Sequence, residues 1–231
     1  MRSILIFISC LLAFSLPSAA QQYTFLSTDI GAPVVDLDFN GITDDGLVDG
    51  LTASMSIFLS SYEENGAGDN DFIFSVTVGN TSTAPVTSTI SAAGFDLDPN
   101  ATDLALSADG TYFVSVDPDG HFPVLPINLD VCVTGANGNC TGGGGGVTAG
   151  NDDTFFLMVS LADGQTSVTL DNFRVRYQAI QIDGEGDGSG IGLVTVIPEP
   201  ATWLMMIIGF ALVSAAARRT RRHSSAIART C

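Results

Sequence analysis

The chain has 231 residues, of which 45% are hydrophobic and 14% charged, so its composition permits a sizeable core and is not that of a disordered chain. Its net charge is −17 and all eight basic residues are arginines. Residues 21–197 contain 24 of the 25 acidic residues but two of the arginines, which gives this segment a charge of about −22. Such a negative field repels nucleic acid and acidic lipid, and it argues against both as partners.

The first 20 residues have the three parts of a secretory signal peptide. Arg2 provides a positive charge, an apolar run covers residues 4–16, and small residues follow at positions 18 and 20. We therefore expect cleavage after Ala20 and export of the remainder. Cys10 lies too early to mark a lipoprotein, so we interpret it as part of the apolar run.

Residues 21–181 are predicted to form an exported all-β domain. Apolar residues occupy every second position in two runs, Leu51–Leu59 and Phe72–Val78. Four further runs are rich in β-branched and aromatic residues: Tyr112–Val116, Asn128–Thr134, Thr154–Leu161 and Val168–Gln181. Turn signals bound these runs, namely Asp109-Gly110, Asp119-Gly120 and Asp163-Gly164. Period two with frequent turns predicts an antiparallel β-sandwich of about eight or nine strands.

An early acidic segment of this domain has the spacing of a calcium-binding loop. Residues 36–41 place oxygen side chains at alternate positions and end in a glycine, as does the first half of an EF-hand loop. The twelfth position of such a loop is Leu47 and not a glutamate, which excludes a true EF-hand. Ordinary turns are the alternative interpretation. The predicted calcium ligands are Asp36, Asp38, Asn40, Asp44 and Asp45.

Two other acidic runs are weaker candidates for calcium. Residues 183–188 alternate acidic residues with glycine, and Asp96, Asp98 and Asn100 form a similar series. In the second series Pro99 is equally a turn signal.

Catalysis is not expected. His121 is the single histidine of the domain and lies beside Phe122-Pro123, which does not favour a catalytic triad. Paired carboxylates could serve a glycan hydrolase, but among 24 acidic residues some pairs are inevitable. The domain also has no tryptophan for stacking against sugar rings.

Cys132 and Cys140 lie eight positions apart, and five glycines follow at 142–146. In an oxidising periplasm such a pair is predicted to form a disulfide, with free thiols or a metal site as alternatives. The glycines lack the lysine and the strand-to-helix context of a phosphate-binding loop. We therefore predict a flexible loop there.

The C-terminal part reads as a linker followed by a membrane segment. Residues 182–197 are rich in glycine and acidic residues, and we interpret them as a flexible spacer. Pro198, Glu199 and Pro200 are predicted to be extended. Residues 201–217 are uncharged and as a helix would span about 26 Å, just short of a bilayer core. Arginines at the end of this span predict that the tail, residues 223–231, is cytoplasmic and the N-terminus outside. These arginines are Arg218, Arg219, Arg221 and Arg222.

Residues 198–222 together resemble the PEP-CTERM sorting signal, a C-terminal tag of Gram-negative bacteria that make exopolysaccharide. The resemblance is carried by the PEP tripeptide, Ala201-Thr202-Trp203, Met205-Met206-Ile207, Gly209-Phe210 and the arginines. Leu204 departs from the pattern, since alanine is common there. The resemblance implies a partner, the membrane protease-transpeptidase called exosortase, which recognises the tag and cuts near the PEP motif.

Three blocks within the domain resemble the cistern family of PEP-CTERM proteins, which has no assigned activity. They are Gly94–Asn100, the paired cysteines with their glycine run, and Asp171–Gln178.

We therefore expect an exported protein that an exosortase sorts, through the inner membrane, to the cell surface or the exopolysaccharide matrix. Its expected role there is structural or adhesive. A calcium-stabilised polysaccharide-binding module and a secreted glycan hydrolase are the alternatives.

Overall fold

A computed structural model describes residues 21–65, 69–122, 127–136, 138–143 and 145–195, together with Phe210. The chain divides into two units, Met1–Thr195 and Val196–Cys231. The described part of the first unit is all β, as predicted. Its strands are β1 Tyr23–Leu26, β2 Val35–Thr43, β3 Gly46–Asn65, β4 Asp69–Asn80, β5 Val86–Asp98, β6 Asp103–Ala108, β7 Ser115–Phe122, β8 Ile127–Thr134, β9 Val147–Thr148, β10 Asp152–Ala162, β11 Ser167–Ile182 and β12 Glu185–Val194.

The strands form one antiparallel sheet and not the two packed sheets of the predicted sandwich. The order across the sheet is β6-β10-β4-β3-β2-β12-β11-β5-β8-β7, with β1 also paired to β11 and β9 to β5. The sheet curls until its two edge strands, β6 and β7, lie close to each other. The predicted sandwich is wrong because bulges in long strands bend a sheet, so that one curled sheet takes the place of two packed ones. Register shifts interrupt the pairing of β2 with β3, of β3 with β4, of β5 with β11 and of β6 with β10.

The main core fills the concave face of the sheet. The predicted alternation of Leu51–Leu59 is confirmed, because the apolar residues at odd positions of this run are at most 1% exposed. Aromatic rings join strands that are distant in sequence: Phe25 packs edge-on against Phe74 with centroids 5.2 Å apart, and Phe95 lies 5.6 Å from Phe173. Buried aromatic pairs of this kind stabilise the fold beyond their burial alone.

A second, smaller apolar cluster covers part of the opposite face. Ala92 of β5 and Ile191 of β12 both pair with Arg176 of β11, and residues paired in this way share one face of a sheet. Val175 and Tyr177, on either side of Arg176, belong to the main core. The opposite face therefore holds the second cluster, which comprises Ala92, Phe122, Leu129, Cys132, Cys140 and Ile191.

The predicted linker at residues 182–197 is wrong over most of its length, because Glu185–Val194 forms β12 between β2 and β11. Glycine recurs at every second position from 186 to 192. A Cβ at Gly192 would collide with Val175 and would lie 3.0 Å from Phe39 Cβ and 3.3 Å from the Tyr177 ring. The glycines therefore let β12 lie close to large side chains of the core, and the domain continues past residue 181 to Val194.

The predicted turn at Asp119-Gly120 is also wrong, since both residues lie inside β7. Asp119 has a φ of 57°, which an aspartate tolerates better than most residues. A Cβ at Gly120 would collide with Cys132 and Cys140, so a close contact with the cysteines requires this glycine. The predicted turn at Asp163-Gly164 is confirmed between β10 and β11.

Candidate functional site

The residues predicted to bind calcium do not form a loop. Asp36, Asp38 and Asn40 occupy alternate positions of β2 and are exposed, while the apolar residues between them are buried. Alternate side chains of a strand are about 6.5–7 Å apart and point the same way, so the chain cannot curl around one ion there. Asp44 and Asp45 lie in the turn to β3. The predicted calcium-binding loop is therefore wrong, because the period-two burial of the apolar residues sets the local structure.

The other acidic runs are not gathered around a common point either. Asp183 and Gly184 form the turn between β11 and β12, and Asp98 is exposed at the end of β5. Throughout the described ranges, no group of three or more histidine, cysteine, aspartate or glutamate residues is arranged to hold a metal ion. Asp96, from the third run, has a different role at the centre of the sheet.

Asp96 connects three strands at a bulge of β11. Against β5, β11 shifts its register over residues 171–174, and Asn172 there has a φ of 50°. The Asn172 side-chain amide donates to Asp96 Oδ2 over 2.7 Å. Asp96 Oδ1 accepts the Asp130 N–H at 3.2 Å, and Asp130 Oδ2 in turn accepts the Leu97 N–H at 2.8 Å. These side chains therefore tie the β11 bulge to β5 and, through Asp130, to β8.

Burial changes the ionisation of the charged groups near this bulge. Desolvation raises the pKa of Asp96 above its ordinary value, although hydrogen bonds from Asn172 and from the Asp130 backbone lower it in part. Desolvation lowers the pKa of Arg174, and the nearby Asp96 carboxylate opposes that change. The bulge is thus a place where charge is held away from water.

Cys132 and Cys140 form the predicted disulfide, with their Cα atoms 6.2 Å apart. Cys132 lies on β8 and Cys140 in the segment that follows, and both are buried. Gly120 of β7 lies directly against the bond. The disulfide is therefore enclosed by the second apolar cluster.

The glycine run after the disulfide packs against the sheet at its described residues. A Cβ on Gly142 would collide with the Gln178 side chain, and one on Gly146 would collide with the Ile90 carbonyl. The Gly143 N–H donates to Gln178 Oε1 over 3.1 Å. Close approach to β5 and β11 explains these glycines, whereas the prediction attributed them to flexibility alone.

Arg176 lies beneath Gly142, the first residue of this run. The residue is 5% exposed, and a Cβ on Gly142 would lie 3.0 Å from Arg176 Nε. Both Nε and Nη1 are buried and have no hydrogen-bond partner. Desolvation lowers the pKa of Arg176, yet a guanidinium stays protonated in proteins. The structure thus buries a positive charge, and two of the three guanidinium nitrogens have no hydrogen-bond partner.

A cleft of about 230 Å³ lies where β6, β7 and β8 meet. Its lining is largely polar and includes three carboxylates. Such groups donate to or accept from the hydroxyls of a sugar. The polar lining residues are Asn100, Thr102, Asp103, Asp119 and Asp130.

The three blocks that resemble the cistern family come together in space. Gly94 pairs with both Cys132 on β8 and Arg174 on β11, so the first block lies between the second and the third. Asp96 of the first block accepts a hydrogen bond from Asn172 of the third, and another from Asp130, which directly precedes the second. The cistern resemblance itself stays a prediction, but its segments form one continuous region of the sheet.

Both ends of the folded domain meet at the same bulge. β12 pairs with β11 as far as Leu193 opposite Arg174, and β1 begins with Tyr23 opposite Leu170. The two strands follow one another along β11 with the bulge between them. Thr195 N–H still donates to the Asp38 carbonyl over 2.8 Å, which holds the end of β12 against β2. The chain therefore enters and leaves the sheet of the first unit at one place.

The segment after Thr195 carries the family signal of the chain. Residues 196–222 match the family model of the PEP-CTERM protein-sorting motif. The chain carries a PEP-CTERM sorting motif. Comparison with curated proteins and with solved structures gave no match. The match confirms the resemblance drawn from residues 198–222, and it implies exosortase-dependent sorting of an exported protein.

The residues of the PEP-CTERM motif lie outside the described part of the chain, apart from Phe210. This applies to Pro198, Glu199, Pro200, Arg218, Arg219, Arg221 and Arg222, to the predicted signal peptide with Ala20, and to the tail 223–231. Where the structure describes the chain, no helix is long and apolar enough to cross a membrane.

The buried charged residues that sequence reasoning missed include Asp153 and Arg176. Asp153 occupies an inward-facing position of β10, and Arg176 occupies the face opposite the main core on β11. A weak signal existed for Asp153, because it lies two positions before Phe155 and so belongs to the alternating buried positions of β10. For Arg176 no local signal existed, because its burial depends on a glycine run 30 or more positions earlier.

Proposed function

We propose that this protein is sorted by an exosortase to the cell surface or the exopolysaccharide matrix, where it has a structural or adhesive role without catalysis of its own. The sorting motif after the last strand is the observation that carries the proposal. In the proposed topology the domain lies outside the inner membrane. Positive charges at Arg218–Arg222 keep the tail cytoplasmic until processing.

Intact mass of the protein recovered from the cell surface tests the sorting step. The expected mature form begins near Gln21 and ends at or near Pro198–Pro200, and it is absent from a strain lacking exosortase. Full-length Glu199→Ala protein should accumulate in the membrane fraction, whereas the exposed-site control Glu185→Ala should be processed normally. A mature wild-type form that still contains Trp203 would contradict the proposal.

The distance between the folded domain and the motif sharpens this test. Because Thr195 is held against β2, residues 196 and 197 alone separate it from Pro198. Four residues, 195 to 198, extend over about 10 Å at most. A protease that grips residues on both sides of its cut therefore works close to the sheet, and inserting six Gly/Ser residues after Thr195 should speed processing. Unchanged or slower processing would show that the short connection is not limiting.

Polysaccharide binding is a second candidate function, and the polar cleft favours it. Its test is retention of the protein on purified exopolysaccharide. Asp103→Asn and Asp119→Asn should reduce retention, while Asp152→Asn, on the exposed side of β10, should not. Release of reducing sugar that a single Asp→Asn change abolishes would instead indicate a glycan hydrolase.

A further inference from the structure

The outward side of β3, β4 and β10 carries four large apolar side chains that lie outside the main core. They alternate along their strands with core residues and are half-buried, so part of each side chain is open to solvent. These side chains are Phe58, Ile73, Phe156 and Met158. The register groups them, because Ser75 pairs with both Phe58 and Phe156, and Ile73 pairs with Met158. We call these four residues the apolar patch.

The edge strand β6 does not cover this patch. It pairs with β10 and places Ala105 opposite Met158 and Ala108 opposite Phe156. An alanine side chain ends at its Cβ and is too short to reach over a phenyl ring or a methionine. The patch is therefore accessible from the edge of the sheet.

A row of short polar side chains runs beside the apolar patch on the same face. Residues paired across strands share one face of a sheet, and neighbouring strands lie about 4.8 Å apart. The row crosses β2, β3, β4 and β10 and consists of Asp36, Ser56, Thr77 and Thr154. It is therefore about 14 Å long, and we call it the polar row. Because Thr154 precedes Phe156 by two positions, the row lies about 7 Å from the patch.

Charge and chemistry limit what this face can bind. Asp36 is the charged residue of the patch and the row, whereas both arginines of the domain, Arg174 and Arg176, belong to β11. An acidic polymer is therefore repelled, while an uncharged one is not. The hydroxyls and the carboxylate of the row can form hydrogen bonds with sugar hydroxyls, and the apolar side of a sugar ring can pack on the phenylalanine rings.

We propose that the apolar patch and the polar row bind an uncharged polysaccharide chain of the matrix. Sugar rings pack on Phe58 and Phe156, and sugar hydroxyls bond to the polar row. The choice of a polysaccharide as the partner rests on the proposed matrix role. This surface differs from the polar cleft, because the cleft lies where β6, β7 and β8 meet and this surface lies on the outward side of β2, β3, β4 and β10.

Retention of the full chain, kept in a neutral detergent, on insoluble polysaccharides tests the proposal. Cellulose and mannan are the uncharged probes, alginate is the acidic probe and chitosan is the cationic probe. All are used at about 0.5 M salt, where attraction by the net charge of the domain is screened. Wild type should be retained on cellulose or on mannan. Retention on neither, or equally strong retention on alginate or on chitosan, would overturn the proposal.

Two matched threonine variants locate the binding. Thr154 and Thr24 are both exposed, and each has its Oγ1 2.8 Å from that of a threonine on the neighbouring strand, Thr77 and Thr169 respectively. Thr24 lies on β1, which pairs with β11, and so outside the proposed surface. The longer side chain of Thr154→Gln projects over the polar row and should weaken retention at least about fivefold, whereas Thr24→Gln should not change it. Equal retention of the two variants would contradict the proposal.

The phenylalanine rings are tested by Phe156→Ala, which should weaken retention on the uncharged polymer at least about tenfold. Thermal unfolding shows whether the variant is folded. If it is not, Phe58→Leu takes its place, because it removes a ring and keeps an apolar side chain, and it should weaken retention at least about threefold. Retention equal to that of wild type in the variant that folds would show that the rings do not hold the ligand, and it would overturn the proposal.

Failure of this inference and failure of the proposed function look different. If Asp103→Asn or Asp119→Asn abolishes retention and Thr154→Gln does not change it, the ligand binds in the polar cleft and this inference alone is wrong. If no polymer retains the protein but exosortase-dependent release to the surface occurs, this inference alone is again wrong. If the protein is retained but is not processed near Pro198–Pro200, the sorting proposal is wrong.

Discussion

Asp153 and Arg176 are equally buried, each 5% exposed, but their surroundings are opposite. Asp153 Oδ1 accepts the Thr111 N–H at 2.7 Å, and its Oδ2 accepts the N–H groups of Tyr112 at 2.9 Å and Phe113 at 2.8 Å. Arg176 has two buried donors without any partner. One buried charge therefore has its hydrogen bonds complete within the fold, and the other does not.

The difference teaches what each charge does. Asp153 holds the segment before β7 so that Phe113 enters the core, where its ring lies 5.4 Å from that of Phe155. Its charge contributes to stability because backbone N–H groups replace the water it lost. Arg176 makes no such contribution, so the fold keeps it at a cost in free energy.

The largest expected effect is the loss of the Asp153 carboxylate. Asp153→Ala leaves three backbone donors unpaired and should lower the free energy of unfolding by about 3–5 kcal/mol. Asp153→Asn keeps one acceptor and should cost about half as much. Urea unfolding measures both, with Asp152→Ala as the exposed neighbour that should change stability by less than about 0.5 kcal/mol. An Asp153→Ala change as small as that of the control would show that solvent replaces the carboxylate.

The disulfide within the second apolar cluster comes next. Replacing Cys132 and Cys140 by alanine should lower the free energy of unfolding by about 2.5 kcal/mol, the loss of loop entropy for so short a loop. Thermal unfolding with and without reductant measures it. The wild-type midpoint should fall in reductant and that of the double variant should not. Alkylation of two cysteines in unreduced protein taken from outside the cell would contradict the disulfide there.

Much of the fold could be predicted from the alternation of apolar and polar residues. The errors arose in segments where a second pattern was preferred to this alternation. The alternation in residues 35–39 is the same signal that predicted β3 and β4, but the acidic residues within it suggested a calcium loop. The glycines of β12 also alternate, but their composition suggested a linker. Both segments are strands because one side of each is buried in the sheet. The exposed aspartates of β2 and the inward glycines of β12 each occupy a single side of their strand.

The connection of strands into one curled sheet could not be predicted in the same way. Period two shows which residues face inward but not which strands pair. Register shifts at places such as Asn172 and Ala179, both with positive φ, depend on contacts between distant segments. The disulfide was predictable because it needs two cysteines and an oxidising compartment, whereas the burial of Arg176 required the whole arrangement.

A smaller effect is expected from two glycines that follow the disulfide, Gly143 and Gly146. Gly146→Ala places a Cβ against the Ile90 carbonyl, a backbone atom that cannot rotate away, and should cost about 2 kcal/mol. Gly143→Ala meets no atom within 4 Å and should cost about 1 kcal/mol, from its φ of 104°. Urea unfolding of both variants gives the difference. Equal effects would show that the run is not fixed against β5.

The smallest effect concerns Asp96, a half-buried carboxylate that lies between the two extremes because it has partners and yet is partly desolvated. Burial raises its pKa above the ordinary value of 3.8. A carboxyl group with a raised pKa binds more protons in the folded state than in the unfolded state between the two values. Its contribution to stability therefore grows as the pH falls through the raised pKa, and is constant below 3.8.

Asp96→Asn removes this titration and leaves the other acidic groups in place. The free energy of unfolding of wild type minus that of Asp96→Asn should therefore increase as the pH is lowered from 7 towards 4, as measured by urea unfolding at each pH. Asp98→Asn, at the exposed end of the same strand, is the matched control variant. If the Asp96 difference instead decreases towards low pH, attraction by Arg174 outweighs desolvation, and Asp96 belongs with Asp153 as a charge that stabilises the fold.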